Sequence, residues 1–277
     1  MLFVLRLIHL SQYFRLFFNM KLKLANAVRL LLLVVLTAPL GIHFVTEHVN
    51  AGWQTASREP VGLAPEPEQT PEAIIQVYGA RAYGWRGYFG IHTWIAVKPS
   101  LARTYTVYEV IGWYLRRGGS AVSIHQQQPD RRWFGNMPIL LAEKRGDGVD
   151  ALIERIEEAA LSYPYAREYT MWPGPNSNTF TAWIARAVPE LALDLPPTAI
   201  GKDYLGNSMT AVAPSGGGWQ WSLFGLLGVI VSEVEGFEIN LLGLTFGFSH
   251  SPVAIKLPLI GRIDLSAQDR FAISAQQ

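Results

Sequence analysis

The sequence contains no cysteine in its 277 residues. This absence excludes disulfide bridges, a lipoprotein anchor, thiolate metal sites and a cysteine nucleophile. The six histidines show no spacing that pairs them with carboxylates at a metal ion, and no glycine-rich phosphate loop follows a predicted strand. We therefore expect neither a metal site nor a cofactor.

Charge is also scarce, because only 16% of the residues are charged and the formal net charge is +1. Apart from a basic group near the N-terminus, the lysines and arginines are scattered, so we expect no nucleic-acid partner. Hydrophobic residues make up 49% of the chain, which excludes disorder for most of it and is enough for a sizeable buried core.

Basic residues precede the first acidic residue, Glu47, and the run Leu30–Val45 between them is uncharged. The basic residues are Arg6, Arg15, Lys21, Lys23 and Arg29. This asymmetry predicts that residues 1–49 form a signal anchor in a bacterial inner membrane and that the rest faces the periplasm. A cleaved signal that releases an exported protein is the alternative, and Met20 is a second candidate start.

Composition divides the remainder into three parts. Residues 50–72 contain four prolines and few large apolar side chains, which predicts an extended linker. Residues 73–212 are predicted to form the main domain, and residues 213–277 a glycine-rich β extension. Alternating apolar residues predict four strands in the main domain. These are Ile74–Tyr78, Gly90–Lys98, Tyr105–Ile111 and Ala121–Gln127.

Two helices are expected after these strands. Apolar residues at helical spacing between Val149 and Ala160 predict the first, and Phe180 to Val188 predict the second, which Pro189 ends. Beyond Gly218, the short apolar runs Leu223–Val231 and Ile239–Phe248 are typical of strands or hairpins. They would complete the core, or would form an amphipathic surface for lipid or a hydrophobic ligand.

A rigid polar loop, residues 172–179, leads directly into the second predicted helix. Two prolines and a glycine precede Asn176, Ser177 and Asn178, whose side chains can cap free backbone N–H groups. The loop is therefore consistent with a simple capping motif. A hydroxyl at a helix N-terminus also faces a site for a developing oxyanion, so Ser177 is the candidate nucleophile. Asn176, Asn178 and Thr179 are the candidate substrate-binding or oxyanion-binding residues.

His92 and Glu109 lie on two neighbouring predicted strands. If the turn between them is centred between Leu101 and Ala102, both side chains fall on one face of the sheet within reach of each other. A slip of one residue would move Glu109 to the other face. Ser177, His92 and Glu109 then supply a nucleophile, a base and an orienting carboxylate. His125 on the next strand is an alternative base or orienting residue, and a structural role for His92 is the alternative to both.

The order of these segments resembles the circularly permuted papain-like hydrolases, which are related to NlpC peptidases and lecithin:retinol acyltransferase. The resemblance covers about residues 73–211 and rests on the His92 strand and on the helix that opens with residues 176–180. It implies an α+β fold with a β-rich C-terminal extension, Ser177 at the nucleophile position, His92 as the base and Glu109 as the third polar group. The His-Thr-Trp-Ile and Gly-Pro-Asn-Ser-Asn-Thr-Phe segments also resemble an uncharacterised family of bacterial envelope proteins.

Ser177 stands where the papain-like hydrolases carry a cysteine, and this substitution removes the readily ionised thiol. Two functions therefore stay open. One is serine-dependent acyl transfer by an amidase, peptidase or acyltransferase on cell-envelope material, namely peptide, peptidoglycan or lipid. The other is a catalytically inactive module that binds envelope ligands or scaffolds partners.

Overall fold

The computed structural model describes Asn26 and residues 52–265. The predicted signal anchor, residues 1–49, lies outside this part of the chain except for Asn26. Within the described residues, no helix is long and apolar enough to cross a membrane.

The first sheet has five antiparallel strands in the order β4-β3-β2-β1-β5. They are β1 (Ile74–Arg81), β2 (Ile91–Lys98), β3 (Thr106–Val110), β4 (Val122–Gln126) and β5 (Pro138–Arg145). The four predicted strands match β1 to β4, whereas β5 was not predicted. Because side chains alternate along a strand, the buried strands β1 and β2 contribute to a separate apolar cluster on each face of the sheet.

Two helices cover one face of this sheet. They are α1 (Val149–Leu161) and α2 (Ser177–Ala187), and both match the predicted periodic segments. Ile153 and Ile156 of α1 and Phe180 and Ile184 of α2 are buried in the same core cluster as Ile95 of β2. The opposite face carries a smaller cluster centred on Trp94 and Trp133.

The predicted linker runs along the segment that follows β4. The backbone N–H of Leu63 donates to Asp130 Oδ2 at 2.6 Å, and that of Gly135 donates to the carbonyl of Ser57 at 2.8 Å. The chain between residues 57 and 65 is therefore held against the first sheet by hydrogen bonds.

The second sheet is a seven-stranded antiparallel meander in the order β12-β11-β10-β9-β8-β7-β6. Its strands are β6 (Thr210–Ala211), β7 (Trp219–Leu223), β8 (Leu227–Ser232), β9 (Gly236–Leu241), β10 (Leu244–His250), β11 (Val253–Leu257) and β12 (Gly261–Asp264). The predicted runs 223–231 and 239–248 each contain a hairpin turn, at residues 224–226 and 242–243.

The inward side chains of the second sheet are mostly polar and fully buried, such as Gln220, Ser222 and Asn240. Two buried lysines share the carboxylate of Glu238 on β9, with Lys202 Nζ at 2.5 Å and Lys256 Nζ at 2.7 Å. The buried charged and polar side chains of this interior are paired by salt bridges and hydrogen bonds, as buried charges require.

The described protein is therefore mostly β, with two antiparallel sheets and few helices. This finding overturns the α+β, permuted papain-like fold that the sequence resemblance implied. The resemblance rested on two short segments around His92 and Ser177, and short motifs do not determine how the rest of a chain packs. Residues 210–264 contain a second sheet of their own, and β5 adds a further strand to the first.

Candidate functional site

The hairpin between β2 and β3 has the one of the two considered registers that places His92 and Glu109 on the same face. Ile95 pairs with Tyr108, which corresponds to a turn centred between Leu101 and Ala102. His92 and Glu109 consequently share one face of the sheet, and His92 Nε2 lies 3.1 Å from Glu109 Oε2. The structure thus brings together these two predicted site residues.

Glu109 is fully buried, where Arg131 neutralises its charge and Gln127 adds a hydrogen bond. Arg131 Nη2 donates to Glu109 Oε1 at 2.6 Å, and Gln127 Nε2 donates to the same oxygen at 3.2 Å. Arg131 Nε in turn donates to Gln127 Oε1 at 2.9 Å. A buried carboxylate needs such compensation, so Arg131 and Gln127 complete a closed network around Glu109.

The pKa values within this network follow from burial and from the arginine. Burial alone would raise the pKa of Glu109, but the hydrogen bond from His92 and the charge of Arg131 outweigh it and lower the pKa to about 2. Burial lowers the pKa of His92 below its usual value, although the contact with Glu109 opposes the change. His92 is therefore neutral at pH 7, with its proton on Nε2 facing Glu109.

The imidazole of His92 forms one end of an aromatic stack. Its ring lies 3.6 Å from the ring of Trp133, with the planes 10° apart, and Trp133 stacks on Trp113 at 6.0 Å. Trp113 is 43% exposed, whereas His92 and Trp133 are buried. Among the described residues, His92 Nδ1 has no hydrogen-bond partner. The stack therefore runs from a buried acid–base pair to the protein surface.

Helix α2 begins with a capping box formed by Asn176 and Thr179. Asn176 Oδ1 accepts from the backbone N–H of Asn178 at 2.9 Å and from that of Thr179 at 3.2 Å, while Thr179 Oγ1 accepts from the backbone N–H of Asn176. Asn176 Nδ2 also donates to the carbonyls of Met171 and Ile200. Asn176 thus joins the helix to two loops.

The side chains of Asn178 and Thr179 also donate hydrogen bonds to carbonyls outside the helix. Asn178 Nδ2 donates to the carbonyls of Ile91 and Ile200, and Thr179 Oγ1 donates to the carbonyl of Gly201 at 2.8 Å. Protein groups therefore already occupy the amides and side chains that the sequence suggested for an oxyanion. Their rigid arrangement has a structural reason, since it fixes the start of α2 against β2 and the 198–201 loop.

Ser177 differs from its neighbours. Neither its hydroxyl nor its backbone N–H has a hydrogen-bond partner among the described residues. The first backbone N–H of α2 that donates to a backbone carbonyl is that of Phe180, which reaches Asn176 at 3.1 Å. Ser177 accepts only through its carbonyl, from Thr93 Oγ1 at 3.4 Å. Ser177 is only 4% exposed as a residue, yet its hydroxyl is not a fully enclosed unpaired group.

Ser177 and His92 are not brought into contact. Thr93 is the β2 residue that hydrogen-bonds to α2, through Ser177, Asn178 and Thr181. The adjacent residue His92 projects from the opposite face of the strand, where Trp133 and Glu109 hold it. The nucleophile and the base of the predicted triad therefore lie on different faces of the first sheet.

The alternative His125 lies on β4, where its Nδ1 is 2.8 Å from the hydroxyl of Ser123. No hydrogen bond joins it to Ser177 or Glu109. Sequence reasoning missed Arg131, Gln127 and Trp133, which lie 18 or more residues after Glu109 in an irregular segment. The one signal that could have found Arg131 is the need of a buried glutamate for a cation. Within the described part of the chain, no cluster of His, Asp and Glu could hold a metal ion.

Comparison with known proteins identifies one family over the residues that carry this site. Residues 72–204 match the model described as a protein of unknown function, DUF3750. No curated protein and no solved structure matches the chain. Residues 72–204, which include His92, Glu109, Arg131 and Ser177, are therefore similar to the DUF3750 domain, consistent with an uncharacterised family.

Proposed function

We propose that this protein is a ligand-binding module and that the segment around Ser177 has a structural role. The observation that carries the proposal is the separation of Ser177 from His92. A base that activates a serine must reach its hydroxyl at hydrogen-bond distance, about 2.6–3.2 Å. His92 instead donates to Glu109 and stacks on Trp133, on the face of β2 opposite to α2.

The ligand surface that we propose is the exposed end of the aromatic stack. Trp113 presents a large rigid ring to solvent, and Trp133 and the edge-on ring of Phe134 support it from below. Aromatic side chains give a large contact area at a small entropic cost, and for this reason they dominate recognition surfaces. Arg131 lies over the rings of Trp94 and Trp133, 5.6 and 5.3 Å from their centroids, and stiffens the same stack.

The ligand class follows from the expected export of residues after about Glu47. An exported module with an aromatic recognition surface fits a cell-envelope fragment that has a flat apolar face, such as the sugar rings of a muropeptide. Soluble muropeptides are therefore the probe that we would use first.

A calorimetric titration of the full chain with soluble muropeptides tests the proposal. We expect Trp113→Ala to weaken binding about tenfold or more, because the variant loses a central aromatic contact. Trp85→Ala is the matched control, since Trp85 is also exposed but lies outside the stack. Absence of binding to the unmodified protein, or equal losses in the two variants, would contradict the proposal.

Serine-dependent acyl transfer is the second candidate, and one observation favours it. Ser177 keeps both an unpaired hydroxyl and an unpaired N–H at the first position of α2. Labelling of the folded protein by a fluorophosphonate probe, lost in Ser177→Ala, would establish this function and overturn the binding-only proposal. We expect no labelling, and we expect the thiol of Ser177→Cys to react no faster than a free cysteine, because no base contacts that position.

A further inference from the structure

The second sheet carries its apolar side chains on the outside. The residues that point inward from β7, β9 and β11 include Gln220, Glu238 and Lys256, all fully buried, whereas their neighbours along each strand point outward and are apolar. An ordinary two-sided sheet has the reverse arrangement, with its polar residues in water. A shift of one residue in strand register would turn the apolar side chains inward and the polar ones outward. The sequence instead specifies the register that keeps the apolar side chains outside.

Most of the outward residues form three apolar rows across the strands, and His250 at the end of β10 is a polar residue on the same face. The longest row crosses six strands, through Trp219, Val231, Phe237, Phe248, Ile255 and Ile263. The second row is Trp221, Val229, Ile239 and Phe246. The third is Leu223, Leu227, Leu241 and Leu244. None of these side chains is charged or polar apart from the indole N–H groups, and contiguous exposed apolar surface of this extent marks an interaction site.

The apolar surface continues around one end of the sheet. The turns after β7, β9 and β11 lie at the same end of the meander, and each presents a large exposed side chain: Phe224, Leu242 and Ile260. The indole of Trp172, itself exposed, donates to the carbonyl of Leu242 at 3.0 Å. The turns at the opposite end are polar and include Glu233.

We propose that this outer face and its apolar turns bind the surface of a lipid bilayer. A second copy of the chain stacked face to face would cover the three rows but leave Phe224, Leu242 and Ile260 in water. A bilayer is an extended apolar phase that can cover the face and the turns together. Two tryptophans on β7 add side chains that favour the boundary between lipid and water.

The sequence before residue 52 supplies an independent argument. The uncharged run Leu30–Val45, with five basic residues ahead of it, is separated by six residues from Gly52, where the described chain resumes. A membrane segment at this place would tether the described part of the chain to a bilayer, so that even weak adsorption of the apolar face becomes effectively intramolecular. The inference does not depend on what Trp113 binds, since the two surfaces belong to different sheets.

The absence of cysteine makes a direct test straightforward, because a spin label can be attached to one introduced thiol in the full chain. Phe248→Cys places a label in the middle of the longest row, and Leu242→Cys places one on an apolar turn. Leu161→Cys on α1 is the matched control, because Leu161 is an equally exposed apolar residue away from the second sheet. All three positions are well exposed, so the substitutions should leave the fold intact.

Each labelled protein is mixed with vesicles of phosphatidylethanolamine and phosphatidylglycerol, and collisions of the label with oxygen and with a water-soluble nickel chelate are measured. We expect the labels at 248 and 242 to gain oxygen collisions and to lose nickel collisions on addition of vesicles, while the label at 161 stays unchanged. The contrast arises because oxygen concentrates in lipid and the chelate in water.

Three other outcomes would overturn the proposal. Spin–spin broadening at 248, with 242 still accessible to nickel, would identify a second copy of the chain as the occupant. Loss of both kinds of collision without vesicles would show that the chain's own N-terminal residues cover the face. Unchanged nickel access at 248 in the presence of vesicles would show that the face stays in water.

Discussion

His92 and Glu109 form a buried acid–base pair across β2 and β3, with Nε2 and Oε2 3.1 Å apart, and the second carboxylate oxygen of Glu109 binds Arg131 at 2.6 Å. The arginine already balances the charge of the glutamate. His92 can therefore stay neutral in the interior and still donate a hydrogen bond to Glu109. This relationship makes the first sheet sensitive to pH in a predictable direction.

The first prediction concerns acid stability. Because burial lowers the pKa of His92 in the folded protein, the unfolded chain takes up this proton first as the pH falls through about 6.5. The free energy of unfolding should therefore decrease below pH 6.5, by up to about 1.4 kcal/mol per pH unit for this one group. Glu109, whose folded pKa is about 2 against 4.5 unperturbed, adds a further loss as the pH falls below 4.5.

Urea denaturation at about pH 7.5, 6.5 and 5.5, which bracket the unperturbed pKa of histidine, would measure this slope. His92→Gln keeps a hydrogen-bond donor for Glu109 but does not titrate. We therefore expect its free energy of unfolding to change less than that of the unmodified protein as the pH falls below about 6.5. An NMR titration that placed the His92 pKa above its usual value would contradict the prediction.

The second prediction concerns Arg131. Arg131→Met removes the cation from the fully buried Glu109, and loss of one member of a buried ion pair costs about 3–5 kcal/mol. The matched control is Arg155→Met, because Arg155 also pairs with a glutamate, Glu190, but at the surface. An exposed pair is worth about 0–1 kcal/mol. Chemical denaturation of both variants would decide, and equal losses would show that Glu109 is compensated by other groups.

Much of the first sheet could be predicted because its strands are short, alternate regularly and are joined locally. The pattern from Gly90 to Ile111 predicted both strands but left their register open by one residue, and the structure has the register that places His92 and Glu109 on one face. The two helices were equally clear from their apolar spacing and from Pro189. The spacing of apolar residues indicates these elements because each strand or helix buries the side chains of one face, and those side chains recur at its own period.

The position of Ser177 relative to His92 could not be obtained in this way. Which face of β2 meets α2 depends on packing between segments about 85 residues apart, and the strand is buried on both faces, so alternation does not distinguish them. The outward apolar face of the second sheet was also ambiguous. Its runs of Val, Ile, Leu and Phe predict strands correctly, but a sequence pattern does not say which face meets solvent.

The third prediction compares two neighbouring residues at the start of α2. Asn176→Ala removes the acceptor for two backbone amides and the donor for two loop carbonyls, so we expect a loss of about 2 kcal/mol or more. Ser177→Ala removes a hydroxyl that has no hydrogen-bond partner among the described residues, so we expect a change within about 0.5 kcal/mol. Thermal and urea denaturation would measure both. A larger loss in Ser177→Ala than in Asn176→Ala would show that the serine hydroxyl holds the loop.

The fourth prediction concerns the charged interior of the second sheet. Glu238 lies between Lys202 and Lys256, and Lys256 has a further partner in Asp194 at 2.6 Å. Burial would lower the pKa of Lys202, but the charge of Glu238 outweighs it and raises that pKa. Glu238→Gln should therefore cost about 3–5 kcal/mol at pH 7, against about 0–1 kcal/mol for the surface control Glu190→Gln.

The pH dependence of this variant separates lost charge compensation from lost packing. With Glu238 present, the raised pKa of Lys202 contributes stability below its unfolded pKa of about 10.5, and this contribution is lost only as the pH rises further. Glu238 is the largest of the charges that raise the pKa of Lys202, so we expect burial to outweigh the remaining charges of Asp203 and Asp194 in the variant. The pKa of Lys202 would then fall below 10.5, and the unfolded chain would hold the proton more tightly than the folded one. The stability of Glu238→Gln should then rise between pH 7 and about 10, while that of the unmodified protein should not. Parallel stability curves for the two proteins over this range would show that the glutamate acts through packing alone.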